Sequence, residues 1–272
     1  MAEQYLGRLP MSLLDFKRSE ELHKFIGDNG RDVSLPKSTG YAYEYNQQNN
    51  TVFSPDLTAY VYRFYLGDML DAGMTPKVID PFAGRTTRGM IAYLTGLEYV
   101  GFDIDERNVA ESYDALSKVQ SRFLDGKKRV MPTWVVKDST TSFDYPSGHF
   151  DFAFTCPPYY DLEKYTNDPH DLANKKTYEE FLTEITKTWK EVYRVLHSDS
   201  FFVFVANYFH RDGKIIHLAR DLVDIGTEAG FTYYDEIVSV LKGQRALRSL
   251  SSNFKHYYHA KTHEYIEVLL KE

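Results

Sequence analysis

The stretch Lys77-Val78-Ile79-Asp80-Pro81-Phe82-Ala83-Gly84-Arg85-Thr86-Thr87-Arg88-Gly89 decides the fold. It begins as a short apolar strand, breaks at Asp80-Pro81, turns through small residues at Ala83 and Gly84, and resumes as a helix over 87–95. A strand that passes through a glycine turn into a helix opens a strand–helix–strand unit. Small residues in such a turn let backbone approach a ligand closely. The first N–H groups of the helix, near Thr86 and Thr87, have no partner within it.

The same rhythm continues on both sides. Strands are expected over 99–104, 133–138, 150–155 and 201–206, with a last one over 264–271. Helices are expected over 55–72, 106–123, 178–196 and 214–229. The helix over 178–196 is the clearest, with Tyr178, Phe181, Leu182, Ile185, Trp189, Val192, Tyr193 and Leu196 on one face. Before residue 53 the pattern weakens to a short helix over 12–26 and a Gly/Asn/Asp/Pro-rich loop over 27–40. Strands alternating with helices give an α/β fold with a mostly parallel sheet and helices on both faces. Ligands of such sheets bind beyond the carboxyl ends of the strands. That rim would carry Asp80, Asp103, Asp138 and Thr155, although an Asp after a strand also suits plain turn chemistry.

Composition narrows the function. The 272 residues suffice for one domain with an extension. A net charge of -7 excludes a polybasic coat protein but leaves room for a local basic face. The one cysteine, Cys156, excludes an internal disulfide and a multi-thiolate zinc site, and points to a reducing, cytoplasmic setting. No signal peptide is evident, and the apolar run FFVFVANYF at 201–209 is far too short to span a bilayer, so a soluble chain without a membrane partner is expected.

The fourth strand ends in Thr155-Cys156-Pro157-Pro158-Tyr159-Tyr160. Two prolines cannot continue a ladder, and they hold the loop extended. About 20 residues past the glycine turn, the second strand ends in Asp103, a spacing at which an acid can accept from both hydroxyls of a ribose.

Together these segments resemble the amino-group DNA methyltransferases, which act on N4 of cytosine or N6 of adenine. DPFAGRTTRG is similar to their DPF-x-G-x-G-T motif, and CPPY to their [DNS]-PP-[YFW] motif. The resemblance covers roughly 53–271 and implies a Rossmann-like domain over 53–272, closed by an antiparallel C-terminal strand, with residues 1–52 as an extension. It implies S-adenosylmethionine as cofactor. Asp80, Pro81, Phe82, Ala83, Gly84, Thr86 and Thr87 would surround its amino-acid part. Asp103 and Ile104 would lie at the ribose, Asp138 or Ser139 at the adenine, and Phe53-Ser54-Pro55 near the carboxylate. Thr86 departs from the family's second glycine.

The exocyclic amine of a base is a poor nucleophile because its lone pair is delocalised into the ring. The family answers with two acceptors at the amine hydrogens, which here would be Cys156 and the carbonyl of Pro157, with Pro158 stiffening the loop. Tyr159 would stack on a base flipped out of the duplex. No metal is required, and none is expected. Cys156 replaces the usual Asp, Asn or Ser, and three roles are open to it. Pro157 and the neighbouring Thr155 carry the acceptor function, or Cys156 accepts as a thiolate, or it attacks a pyrimidine ring covalently. The serine forms of the family lean towards cytosine, which favours N4 of cytosine over N6 of adenine.

The segment 237–263 holds Lys242, Arg245, Arg248, Lys255 and Lys261 without an acid, and is the expected DNA-facing surface. The segment 160–177, long and polar, reads as a lid over the base or as a surface insertion. With no separate recognition domain in view, recognition falls to loops, the extension or a second subunit, so a homodimer is open. A silent nucleic-acid-binding relative and an enzyme acting on RNA or nucleotides are the alternatives. Restriction-modification, viral evasion and regulation all fit the biological use.

Overall fold

The computed structural model describes residues 53–120, 129–162, 166–240 and 262–272, together with the backbone of Leu13–Leu14. Ten strands are described: β1 (Leu13–Leu14), β2 (Lys77–Asp80), β3 (Glu98–Asp103), β4 (Thr133–Val136), β5 (Phe150–Thr155), β6 (Leu196–Ala206), β7 (Phe209–Arg211), β8 (Lys214–Ile216), β9 (Thr232–Val240) and β10 (His263–Lys271). The helices are α1 (Pro55–Asp71), α2 (Thr87–Thr95), α3 (Glu106–Gln120), α4 (Tyr178–Val195) and α5 (Leu218–Ala229).

Eight strands form one sheet in the order β1-β9-β10-β6-β5-β2-β3-β4, and β7 pairs with β8 in a separate hairpin. From β6 to β4 the neighbours run parallel, and β10 lies antiparallel between β6 and β9. This is the mostly parallel, doubly covered sheet that the strand–helix rhythm predicts, with the antiparallel last strand that the resemblance implies.

Burial on both faces explains the near-continuous apolar strands. Successive residues face opposite layers. Val78, Phe152, Phe154, Val203 and Val205 pack beneath α1 and α2, with Leu57, Val61, Tyr62, Met90 and Ile91. Ile79, Ala153, Phe202 and Phe204 pack against α4 and α5, with Phe181, Ile185, Trp189, Leu218 and Leu222. Caps set the helix starts. Ser54 accepts from the Leu57 N–H before Pro55, and Thr177 accepts from the Glu180 N–H at the start of α4. Among the described residues no helix is long and apolar enough to cross a membrane.

Three expectations are corrected. Leu13–Leu14, inside the expected helix over 12–26, instead pair as a strand with Val238 and Ser239 of β9. The helix expected over 214–229 starts at Leu218, because Lys214–Ile216 belong to a hairpin. Its turn, Asp212-Gly213, has φ of 50° and 75°, the pair of left-handed conformations that a tight hairpin turn favours. Strand β9 was not anticipated. The basic segment 237–263 accordingly begins inside β9 and ends at the first residue of β10. Lys242, Arg245, Arg248, Lys255 and Lys261 lie outside the described residues.

Candidate active site

The carboxyl ends of β5, β2, β3 and β4 lie side by side, which brings Thr155, Asp80, Asp103 and Asp138 to one rim. Asp80 and Thr155 touch. The Thr155 hydroxyl donates to Asp80 Oδ1 at 2.7 Å and accepts from the Phe82 N–H at 3.1 Å. The glycine turn and the double-proline loop are therefore fastened to each other at their roots.

Asp80 is fully buried and serves as the hub of this joint. Arg88 reaches back from α2 to bond Asp80 Oδ2 at 2.6 Å, and the Tyr99 hydroxyl donates to the same oxygen at 2.7 Å. Arg88 also donates to the Phe82 carbonyl at 2.6 Å. Burial, and then the Asp80 charge, push the Tyr99 phenol well above its ordinary range, so it stays a donor. Arg88 lies 4.7 Å from the ring centroid of Phe53, which packs edge-on to Phe154, and it is within electrostatic reach of Cys156. Phe53, ahead of α1, thereby adjoins both halves of the site, and Ser54 and Pro55 open that helix.

Gly84 has φ of +55°, and a side chain added there would meet nothing within 4 Å. The turn thus exposes bare backbone to open space at the rim, as close ligand approach requires. Ala83 is held in place by its N–H to the Phe102 carbonyl at 2.8 Å. Thr86 and Thr87 stand at the start of α2, both buried, and the Thr87 hydroxyl has no hydrogen-bond partner among the described residues. At the end of β3, Asp103 receives the Asp105 N–H at 2.8 Å, Asn108 Nδ2 at 3.2 Å and the Gly84 N–H. Burial raises its carboxyl from 3.8 to about 6, against the lowering effect of those bonds. Ile104, beside it, is half-buried.

Four of the expected contact residues have side chains with partners inside the protein. The side chain of Asp80 is occupied by internal partners, so it shapes the turn rather than facing a ligand. Thr155 is fully buried, with its hydroxyl engaged as both donor and acceptor, so it is a positioning residue and not an amine acceptor. Asp138 Oδ1 accepts from both the N–H and the hydroxyl of Thr140, a local turn. The Ser139 hydroxyl donates to the Pro81 carbonyl and buttresses the glycine turn. In each case the short polar side chain finds a partner within the protein.

Beyond Thr155, Cys156 is a half-buried thiol outside any disulfide, packed at the edge of the α1–α2 core. Pro157 is buried, Pro158 half-buried, and Tyr159 half-buried against the α4–α5 core. Tyr160 follows with φ of 48°, a strained conformation for a bulky residue. Its ring packs edge-on to Tyr178, 5.5 Å between centroids, and its hydroxyl donates to the Lys176 carbonyl at 3.2 Å. The chain turns directly after Tyr159, with the Leu162 N–H donating to the Tyr159 carbonyl at 3.1 Å. The described part of 160–177 is held by bonds within the segment. Leu172 is buried, and buried Asp171 accepts from the N–H groups of Thr166 and Ala173.

Sequence reading missed two groups: the internal partners Arg88 and Tyr99, and an aromatic cluster past the end of β6. In the latter, Tyr208 lies 5.5 Å from His217, 5.9 Å from His210 and 6.4 Å from His263. Residues 207–210 continue β6, the strand beside β5, so this cluster shares the rim.

Residues 150–272 match the DNA methylase family N6_N4_Mtase. The methylase match begins at β5 and contains the double-proline loop. Over nearly the whole chain the fold is that of two solved structures. The [4+2]-cyclase SpnF is 15% identical, with 92% of this chain and 94% of that one covered at a TM-score of 0.55. The magnesium protoporphyrin IX methyltransferase ChlM of Synechocystis PCC 6803, solved with bound SAH, is 12% identical, with 93% and 99% covered at a TM-score of 0.50. At such identities the likeness is one of architecture, and it spans a cyclase as well as a methyltransferase. No curated protein matches the sequence.

Proposed function

We propose that the protein is an S-adenosylmethionine-dependent methyltransferase acting on the exocyclic amine of a DNA base, N4 of cytosine ahead of N6 of adenine. The Thr155–Asp80 hydrogen bond carries this reading, because it joins a glycine turn suited to a nucleoside cofactor to a loop suited to a base. The methylase match over 150–272 supports it. When bound, S-adenosylmethionine supplies an electrophilic methyl group. The residues fit the cofactor: Gly84 leaves open space at the rim, and Asp103 offers a carboxylate to ribose hydroxyls. The carbonyl of Pro157 and the thiol of Cys156 draw on the amine hydrogens and localise the nitrogen lone pair. Tyr159 stacks on the extruded base, and fixed positioning supplies much of the rate.

The deciding experiment incubates the protein with S-adenosylmethionine and unmethylated DNA and analyses the nucleosides by mass spectrometry. N4-methylcytosine is expected, and N6-methyladenine keeps the reaction class while changing the base. 5-Methylcytosine would instead support the covalent role for Cys156. No methylated deoxynucleoside would sink the reading and leave a silent binder or an enzyme acting on RNA or nucleotides.

Asp103 makes cofactor affinity pH-dependent. Its ionised form is the better acceptor for ribose hydroxyls, and burial places its titration at about 6. Calorimetric affinity for S-adenosylmethionine should be flat above pH 7 and fall towards tenfold per pH unit well below 6, as one proton must be released. Asp103→Asn should bind more weakly and lose this dependence; an unchanged profile would remove Asp103 from the ribose. The stability sign is opposite. Because the folded value is raised, the contribution of Asp103 to the ligand-free fold is full below pH 3.8 and is lost as pH rises through about 6.

A further inference from the structure

A groove of about 790 Å³ opens one residue past Tyr159. One wall is formed by Tyr160, Asp161 and residues 174–176, and the other by the β7–β8 hairpin. That hairpin follows β6 at the rim, so the groove leads outward from the candidate base site. Its volume lies in the range of small-ligand pockets and is enough for a nucleotide.

Its charge is unlike that of the chain. The net charge of the protein is -7, yet the groove is lined by Lys175, Lys176, Arg211 and Lys214 against only Asp161 and Asp212. Arg211 pairs with Asp161. Lys175 bonds the Pro169 carbonyl at 3.0 Å, and its charge acts on nearby Asp168. Lys176 and Lys214 are exposed. Asp161 Oδ1, the oxygen opposite the one that Arg211 takes, is buried and has no hydrogen-bond partner among the described residues. A buried acceptor without a donor is costly in an isolated fold and is explained when a ligand supplies the donor. Ile215, 55% exposed, adds an apolar edge at the same wall.

We infer that this groove seats the nucleotide adjacent to the target base. Lys176 and Lys214 take its phosphates, Ile215 covers its sugar or base, and Asp161 Oδ1 accepts from an amino group on the base edge. In the major groove only adenine and cytosine present such a donor, so one of these is preferred beside the methylated base. This inference rests on the proposed DNA activity.

The test uses the full chain and a DNA oligonucleotide that the wild type methylates. Lys176→Ala/Lys214→Ala should raise the DNA Kd about tenfold or more and lower the slope of log Kd against log salt by about 2, one per lost phosphate contact. KM for DNA should rise with kcat nearly unchanged and S-adenosylmethionine affinity intact. Lys187→Ala, on exposed α4 surface, should change none of these. Asp161→Asn should weaken the flanking preference for adenine or cytosine among methylated sites. If the wild type methylates DNA but the double variant keeps its Kd and salt slope, the groove inference falls alone. If the wild type neither binds nor methylates DNA, or prefers RNA of the same sequence, the functional reading falls with it.

Discussion

Asp80→Ala should lower the stability of the protein by about 3–5 kcal/mol, a large part of the roughly 5–15 kcal/mol that holds a typical domain together. The magnitude follows from what is left behind. Arg88 is 3% exposed, and without Asp80 its charge is buried with no counter-ion. The Tyr99 and Thr155 hydroxyls lose their acceptor in the same stroke. Asp80→Asn keeps the shape but not the charge and should give a large part of the same loss. Adding Arg88→Gln to it removes the stranded cation and should recover some stability. Urea unfolding of the three variants measures this directly. A loss below about 1 kcal/mol for Asp80→Ala would show that the hub is not needed to hold the turn. Where Asp80→Ala does not fold, the comparison between the single and double amide variants still reports the coupling.

The hub also marks the border of what could be read from sequence. FDFAFT ends the fourth strand at Thr155, as its aromatic alternation and the following Pro-Pro demand, and α2 spans the residues that the glycine turn predicts. Those signals are local. The partners of Asp80 come from α2, β3 and β5, and no periodicity reports that an acid at a strand end is enclosed by a distant threonine and tyrosine. For the same reason no sequence pattern reports that Asp138 Oδ1 closes a local turn or that the Ser139 hydroxyl buttresses the Pro81 carbonyl. Strand β9 was missed because Thr232 to Glu236 are exposed, aromatic and acidic, with apolar alternation starting only at Ile237. The β7–β8 hairpin was missed because Ile215, Ile216, Leu218, Ala219 and Leu222 mimic a helical face. The Asp212-Gly213 turn was the signal that should have outweighed them.

Tyr159→Ala should reduce methyl transfer by about 100-fold or more while leaving S-adenosylmethionine binding nearly intact. Stacking of one base on an aromatic ring is worth about 1–3 kcal/mol, roughly 5- to 150-fold, and loss of alignment at the reacting nitrogen adds to it. The neighbouring tyrosine supplies the contrast. Tyr160 is buried, held in its left-handed conformation by Tyr178 and Phe181, and bonded to the Lys176 carbonyl, so Tyr160→Ala should act on stability. Tyr159 is half-buried at the end of a rigid proline pair and packs against the α4–α5 core. Tyr159→Phe keeps that surface and should retain most of the activity. Single-turnover transfer to DNA, paired with calorimetric cofactor binding, separates the cases. Full transfer by Tyr159→Ala would remove stacking from the mechanism, and loss of cofactor binding in the same variant would recast Tyr159 as part of the turn's support rather than as the platform for the base.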